Sequence, residues 1–131
     1  MGRVQLPVAT SKAAEFVDIT TLIEEVVQEQ KISSGTVSLF LTHTTAALTT
    51  VAFSPNQDLD ILATIETILP GNHPKLQPHS KLPLYIVASF LGQHLSVPVE
   101  KGRLLLGDMQ RIILVELNGP RDRTVVVDCR T

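Results

Sequence analysis

The chain is poor in the groups that staple, stack or anchor a protein. Cys129 is the one cysteine in 131 residues, which excludes an intrachain disulfide and any zinc site built on several thiolates. Tryptophan is absent, and four Phe and one Tyr make up all the aromatics, too few for a platform on which nucleic-acid bases stack. Eleven basic and thirteen acidic residues give a net charge of −2, with no general pull toward nucleic acid or an anionic membrane. Met1-Gly-Arg-Val-Gln-Leu-Pro7 lacks the apolar core of a secretory leader. Ile32 to Gln57 is uncharged, but serines and threonines interrupt it throughout, so it is no membrane span. There is no Walker loop, no Gly-x-Gly-x-x-Gly and no Gly-x-Ser-x-Gly. These absences predict a cytoplasmic protein with no nucleic-acid or membrane partner, no cofactor and no metal site.

What is present is globular. Hydrophobic residues make up 44% and charged residues 18% of the chain, close to the average for folded domains. A chain of this length suits one domain, residues 1–131, with a core that needs no staples. Charge is uneven along it. Between Lys31 and Lys75 only Asp58, Asp60 and Glu66 are ionised, whereas Glu100 to Thr131 holds six basic and five acidic residues. Scattered charge of this kind is ordinarily a solvated surface, but arginine's planar fork also suits phosphate.

Periodicity predicts strands at Arg3–Ala9 and Glu15–Ile19, then a helix opened by a Thr21/Glu24 capping box and closed by Ser33-Ser34-Gly35. A strand follows at Thr36–Thr42. Ser54-Pro55-Asn56-Gln57 signals a second helix, which Pro70-Gly71 stops. Residues 70–83 hold four prolines and two histidines and form a loop. Leu84–Leu91 has strand-like composition, but Pro83 and Gly92 punctuate it as a short helix. Strands follow at His94–Val99, Arg103–Leu106, Gln110–Leu117 and Arg123–Cys129. Glu100-Lys101-Gly102 and Asn118-Gly119-Pro120 have hairpin-like composition. The nearly unbroken apolar run Arg111–Leu117 suits a central strand covered on both faces. The sum is an α+β single domain, an antiparallel-rich mixed sheet or sandwich packed by two or three helices.

Few residues stand out chemically. His43 ends an apolar strand and opens Thr42-His43-Thr44-Thr45. An imidazole there could act as a general base, or could equally be a half-buried structural group. His73, His79 and His94 show no metal-ligand spacing. Glu116 lies within an apolar run, so it must face water or meet a cation, with Arg111, Arg121 and Arg123 as candidates. Cys129 is read as a core or edge thiol.

Three segments together resemble the YjbQ-like family, also called secondary thiamine-phosphate synthases. They are Leu41-Thr-His-Thr-Thr-Ala-Ala-Leu-Thr49, Val97-Pro-Val-Glu-Lys-Gly-Arg-Leu-Leu-Leu-Gly107 and Glu116-Leu-Asn-Gly-Pro-Arg121. The resemblance runs from about Glu15 to the C-terminus. It implies a small α+β domain, a homotrimer, and a polar cleft near the subunit boundaries. It also implies an activity found weakly in some members, in which a pyrimidine diphosphate joins a thiazole phosphate and diphosphate leaves. By that resemblance His43 and Asp58 are the catalytic candidates. Thr44, Thr45, Ser89, Arg103 and Arg121 are the ligand-binding ones.

The chain also departs from the family pattern. Val51, Ala52 and Phe53 stand where acidic and amide groups are usual, Gln77, Pro83 and Tyr85 where a second motif has two histidines and an acid, and Met109 where tryptophan is usual. These departures imply a divergent member that binds a small phosphorylated or anionic metabolite near His43, with catalysis weak or lost. The alternatives are an active transferase of the thiamine-phosphate synthase type and a non-catalytic structural or partner-binding homotrimer.

Overall fold

The structure is a computed structural model that describes residues 2–53, Ala63 and 83–131. In chain order the described elements are β1 (Gly2–Ala9), β2 (Glu15–Asp18), α1 (Thr20–Glu29), β3 (Ser34–Leu41), β4 (Ala46–Ala52), α2 (Leu84–Leu91), β5 (His94–Glu100), β6 (Arg103–Leu104), β7 (Gln110–Glu116) and β8 (Asp122–Arg130). Apart from Ala63, which is helical, the helix expected from Ser54 to Leu69 lies outside the described residues, as do most of the proline-rich loop, Asp58, His73 and His79.

Strict alternation builds the larger sheet, ordered β1-β8-β3-β5-β6. In β3 the side chains of Val37, Leu39 and Leu41 are buried, while Thr36 and Phe40 are exposed. In β8 the buried set is Arg123, Val125, Val127 and Cys129. Period-two patterning of this kind gives a sheet one core face and one outer face. The smaller sheet, β2-β7-β4, supplies Ile112, Leu114, Ala46 and Leu48 to the same core, and α1 adds Ile23, Val26 and Val27. The other face of the smaller sheet carries Phe16, Ala47, Ile113 and Val115, covered by Val51, Phe53, Leu91 and Leu117. β7 is therefore central and buried on both faces, as its continuous apolar run predicts. The α+β class holds, with two helices among the described residues. The expected mixed sheet is antiparallel in every described pairing.

The expected capping box does not form, because α1 begins one residue earlier, at Thr20, and has no side-chain cap at its N-cap residue. Asp18 Oδ1 instead accepts the Thr20 N–H at 3.0 Å, and the buried Thr20 hydroxyl accepts the Ile112 N–H at 2.8 Å. The helix is thereby fixed to β7 where β2 ends. It stops before Ser33, not at Ser33–Gly35. Lys31 takes a left-handed φ of 56°, and the N–H groups of Lys31 and Ile32 donate to Gln28 and Val27, the double closure of a Schellman cap.

At the other helix, Pro83 and Gly92 bound α2 as expected. The Gly92 carbonyl accepts the Leu48 N–H at 2.9 Å and the Gln93 carbonyl accepts the Leu41 N–H at 2.8 Å. The exit of α2 thus ties β3 and β4 together where they flank His43. Glu100-Lys101-Gly102 does form a hairpin, with both Lys101 (φ 55°) and Gly102 (φ 76°) left-handed as a two-residue primed turn requires. Asn118-Gly119-Pro120 does not. It carries the chain from β7 in one sheet to β8 in the other, through a cis Gly119–Pro120 bond. No helix among the described residues is long and apolar enough to cross a membrane.

Candidate functional site

The crossing between the sheets brings two charged side chains into the interior. Glu116 ends β7 and is wholly buried; Arg123, the second residue of β8, is 2% exposed. Arg123 is the cation that Glu116 meets. Its Nε donates to Glu116 Oε1 at 2.9 Å and its Nη2 to Oε2, the two-pronged geometry that makes arginine the strongest carboxylate partner. The Thr10 hydroxyl donates to Oε1 at 2.7 Å and the Asn118 N–H to Oε2 at 3.0 Å. Arg123 Nη2 also reaches the Thr45 hydroxyl at 2.9 Å and the Thr45 carbonyl at 3.1 Å. Burial by itself raises the Glu116 pKa, but the hydrogen bonds from Arg123, Thr10 and Asn118 together hold it below the usual carboxylate range. The other two candidate arginines are engaged elsewhere. Arg111 pairs with Asp18 at 2.7 Å, and the exposed Arg121 donates from Nε to the Asn118 carbonyl at 2.7 Å.

His43 stands at the edge of this cluster, half-buried. Its Nε2 accepts the Thr124 backbone N–H at 2.9 Å, so the neutral ring carries its proton on Nδ1. Burial lowers the pKa of His43, the guanidinium charges of Arg123 and Arg121 lower it further, and only the Glu116 carboxylate opposes them. Because the folded pKa lies below the unfolded one, the unfolded chain binds a proton that the folded chain refuses. Stability from this source is complete above pH 6.5 and drains away as pH falls through the folded value. Urea unfolding between pH 7 and pH 5 is expected to show that loss, and His43→Gln, which keeps an acceptor and removes the titration, to flatten it. An unchanged pH slope in the variant would remove His43 as its source.

Both halves of the cluster fall inside the stretch that a family model matches. A model described as "UPF0047 protein YjbQ-like" matches residues 4–131. The chain belongs to the YjbQ-like UPF0047 family. A UPF0047 protein of Archaeoglobus fulgidus is 35% identical over 127 residues, covering 94% of this chain and 97% of the relative. YugU, the UPF0047 protein of Bacillus subtilis, is 34% identical, covering 93% and 94%. Among solved structures, an uncharacterised YjbQ/UPF0047 protein of Clostridium acetobutylicum superposes with a TM-score of 0.84 at 32% identity over 97% of this chain and 99% of that one. A hypothetical protein of Aeropyrum pernix gives 0.86 at 28% identity over 99% and 98%.

Two of the three segments that carry the YjbQ-like resemblance meet in space. Thr42–Thr45 links β3 to β4, and Glu116–Arg121 links β7 to β8, with Thr45 held by Arg123 and His43 by Thr124. The third segment lies elsewhere. Arg103 sits opposite Glu100, which pairs with Ser34 at the start of β3, whereas His43 lies beyond the end of β3 at Leu41. Seven strand residues separate Ser34 from Leu41, about 23 Å, so the chain's own Arg103 lies far from its His43. Thr44 and Arg121 are exposed at the rim. The hydroxyl of Ser89 donates to the Ile86 carbonyl of its own helix at 2.7 Å. Asp58 lies outside the described residues. Thr10 and Asn118 complete the cluster: Asn118 lies in a segment the sequence marks only as a bend and part of the resemblance, and Thr10, a lone threonine past a strand, carries no sequence signal.

Proposed function

We propose that this YjbQ-like protein binds a small phosphorylated or otherwise anionic metabolite at the rim formed by His43, Thr44 and Arg121, and that transferase turnover there is weak or lost. The observation that carries the reading is the fate of the rewritten segment. Val51 and Phe53 pack into the apolar cluster under the smaller sheet, and the Phe53 and Phe16 ring centroids lie 6.1 Å apart. Positions where the resemblance leads one to expect polar groups here furnish hydrocarbon. The acid–base partners that diphosphate release requires are missing from them.

The other half favours an anion. Glu116 and Arg123 satisfy each other, and the exposed Arg121 guanidinium makes no ion pair among the described residues. The Arg123 and Arg121 charges, which add to burial in lowering the His43 pKa, also attract negative charge, and the Nδ1 proton supplies a hydrogen-bond donor. Assembly as a homotrimer in the cytoplasm, with the rim near a subunit boundary, belongs to the same proposal.

The test is a thermal-shift titration with inorganic phosphate, diphosphate and thiamine phosphate. Binding to the native state alone adds about 2.7 kcal/mol at a hundredfold excess over Kd, an unmistakable rise in Tm, and Arg121→Gln is expected to abolish it. No rise with any of the three, or a rise unchanged by Arg121→Gln, refutes the reading. Thiamine phosphate formation from its two precursors is expected at the blank rate. A rate well above blank that His43→Ala removes would favour an active transferase instead.

A further inference from the structure

A second recess opens between α1 and the β6–β7 connection, with a volume of about 490 Å³, within the range of small-molecule sites. Its walls carry opposite charges. Arg103 and Arg111 line it from the strand side, Glu24 and Gln28 from α1, where an i, i+4 spacing puts both on one helix face. Glu24 and Arg103 make no ion pair among the described residues. Arg111 is held by Asp18. The formal charges of Arg103, Arg111, Glu24 and Asp18 therefore cancel while remaining spatially separated.

The floor is rigid. The Gln110 side chain accepts the Gly107 N–H at 2.9 Å and donates to the Thr50 hydroxyl at 3.1 Å. At the rim Met109 is 65% exposed and held at a left-handed φ of 62°. That conformation is unfavourable for a residue with a β-carbon, and it keeps a thioether in water, where it gains nothing.

From this arrangement we infer that the recess binds a free α-amino acid or a similar small zwitterion. The ligand carboxylate would sit on Arg103 with Arg111 behind it, the ammonium on Glu24 and Gln28, and the side chain against Met109. A phosphate dianion fits poorly, because Glu24 and Asp18 would repel it. Charge balance with separated signs is what a zwitterion matches, each end desolvating a group of opposite sign. The site is independent of the His43 rim.

Calorimetric titration of the intact protein with the twenty free L-amino acids, their N-acetyl and carboxamide forms, and inorganic phosphate tests this. At least one free amino acid is expected to bind, and both blocked forms of it to bind at least about tenfold more weakly, as the loss of a charge-assisted contact implies. Arg103→Gln and Glu24→Gln each replace a residue that is not buried and are expected to weaken binding by a similar factor. Arg121→Gln is expected to leave it unchanged. Absence of binding across the panel, equal binding of the blocked forms, or phosphate binding that Arg103→Gln removes would each overturn the assignment. The blocked ligands decide the matter even if a variant misfolds.

Discussion

Arg123→Met is expected to destabilise the protein by about 3–5 kcal/mol at neutral pH, measured by urea unfolding, because it leaves the Glu116 carboxylate buried without a cation. The size follows from the geometry: both carboxylate oxygens are bonded to Arg123, and neither residue reaches solvent to any useful extent. Acid distinguishes this cause from lost packing. In the native protein the Glu116 pKa is depressed below 4.5, so its contribution is present above that pH and is lost only as pH falls through the folded value. In Arg123→Met the same carboxyl, unpaired and buried, has a raised pKa. The deficit relative to wild type should therefore shrink as pH falls from 7 toward 4.5. Adding Glu116→Leu should recover part of the loss at pH 7, since no charge then remains buried. A loss under about 1 kcal/mol, or a deficit that grows in acid, would show that the pair does not carry this energy.

Gly119→Ala is the second large effect, with an expected loss of about 3 kcal/mol for a single added methyl group. Overpacking a tight site ordinarily costs about 1–3 kcal/mol, and this position lies at the upper end because the obstruction is backbone. A β-carbon at Gly119 would run into the Lys12 carbonyl oxygen and lie 2.8 Å from Glu116 Cγ and 2.9 Å from Thr10 Oγ1. The Gly119 N–H also donates to the Ala13 carbonyl at 2.9 Å, so the segment has little room to retreat. Relief by moving Glu116 or Thr10 would loosen the Arg123 network. Gly119→Ala should accordingly lower the unfolding midpoint and also shift the backbone amide resonances of Asn118 and Thr45. An unfolding free energy within about 0.5 kcal/mol of wild type would mean that the crossing segment is softer than its contacts indicate.

Legibility in the sequence followed the range of the forces involved. The apolar stripe of α1, the unbroken run of β7 and the Pro83/Gly92 punctuation of α2 are local signals, and each marks its element. β4 went unrecognised because Ala46–Ala52 mixes alanine with threonine and has neither a clean alternation nor many strongly β-forming residues. Its pairing with β7 makes it a strand. Asn118-Gly119-Pro120 signals a bend correctly, but a turn motif does not say whether the next strand returns to the same sheet. The Glu116 partner could be narrowed to three arginines by the cost of burying charge, and only the fold selects Arg123. Membership in one set of motifs likewise carries no distance, and the register of β3 sets Arg103 and His43 toward opposite ends of that strand.

The pairing of β1 with β8 has a consequence for synthesis. Among the described residues β1 has no strand neighbour other than β8, and Gly2 lies opposite Cys129. β8 also separates β1 from β3 in the larger sheet. A nascent chain thus holds its first strand in readiness until more than a hundred further residues have been translated, and neither β1 nor the inner edge of β3 is satisfied before then. Non-local closure of this kind slows folding. Any shortened chain ending before Asp122 would expose two apolar strand edges at once, a state suited to chaperone capture or aggregation rather than to partial function.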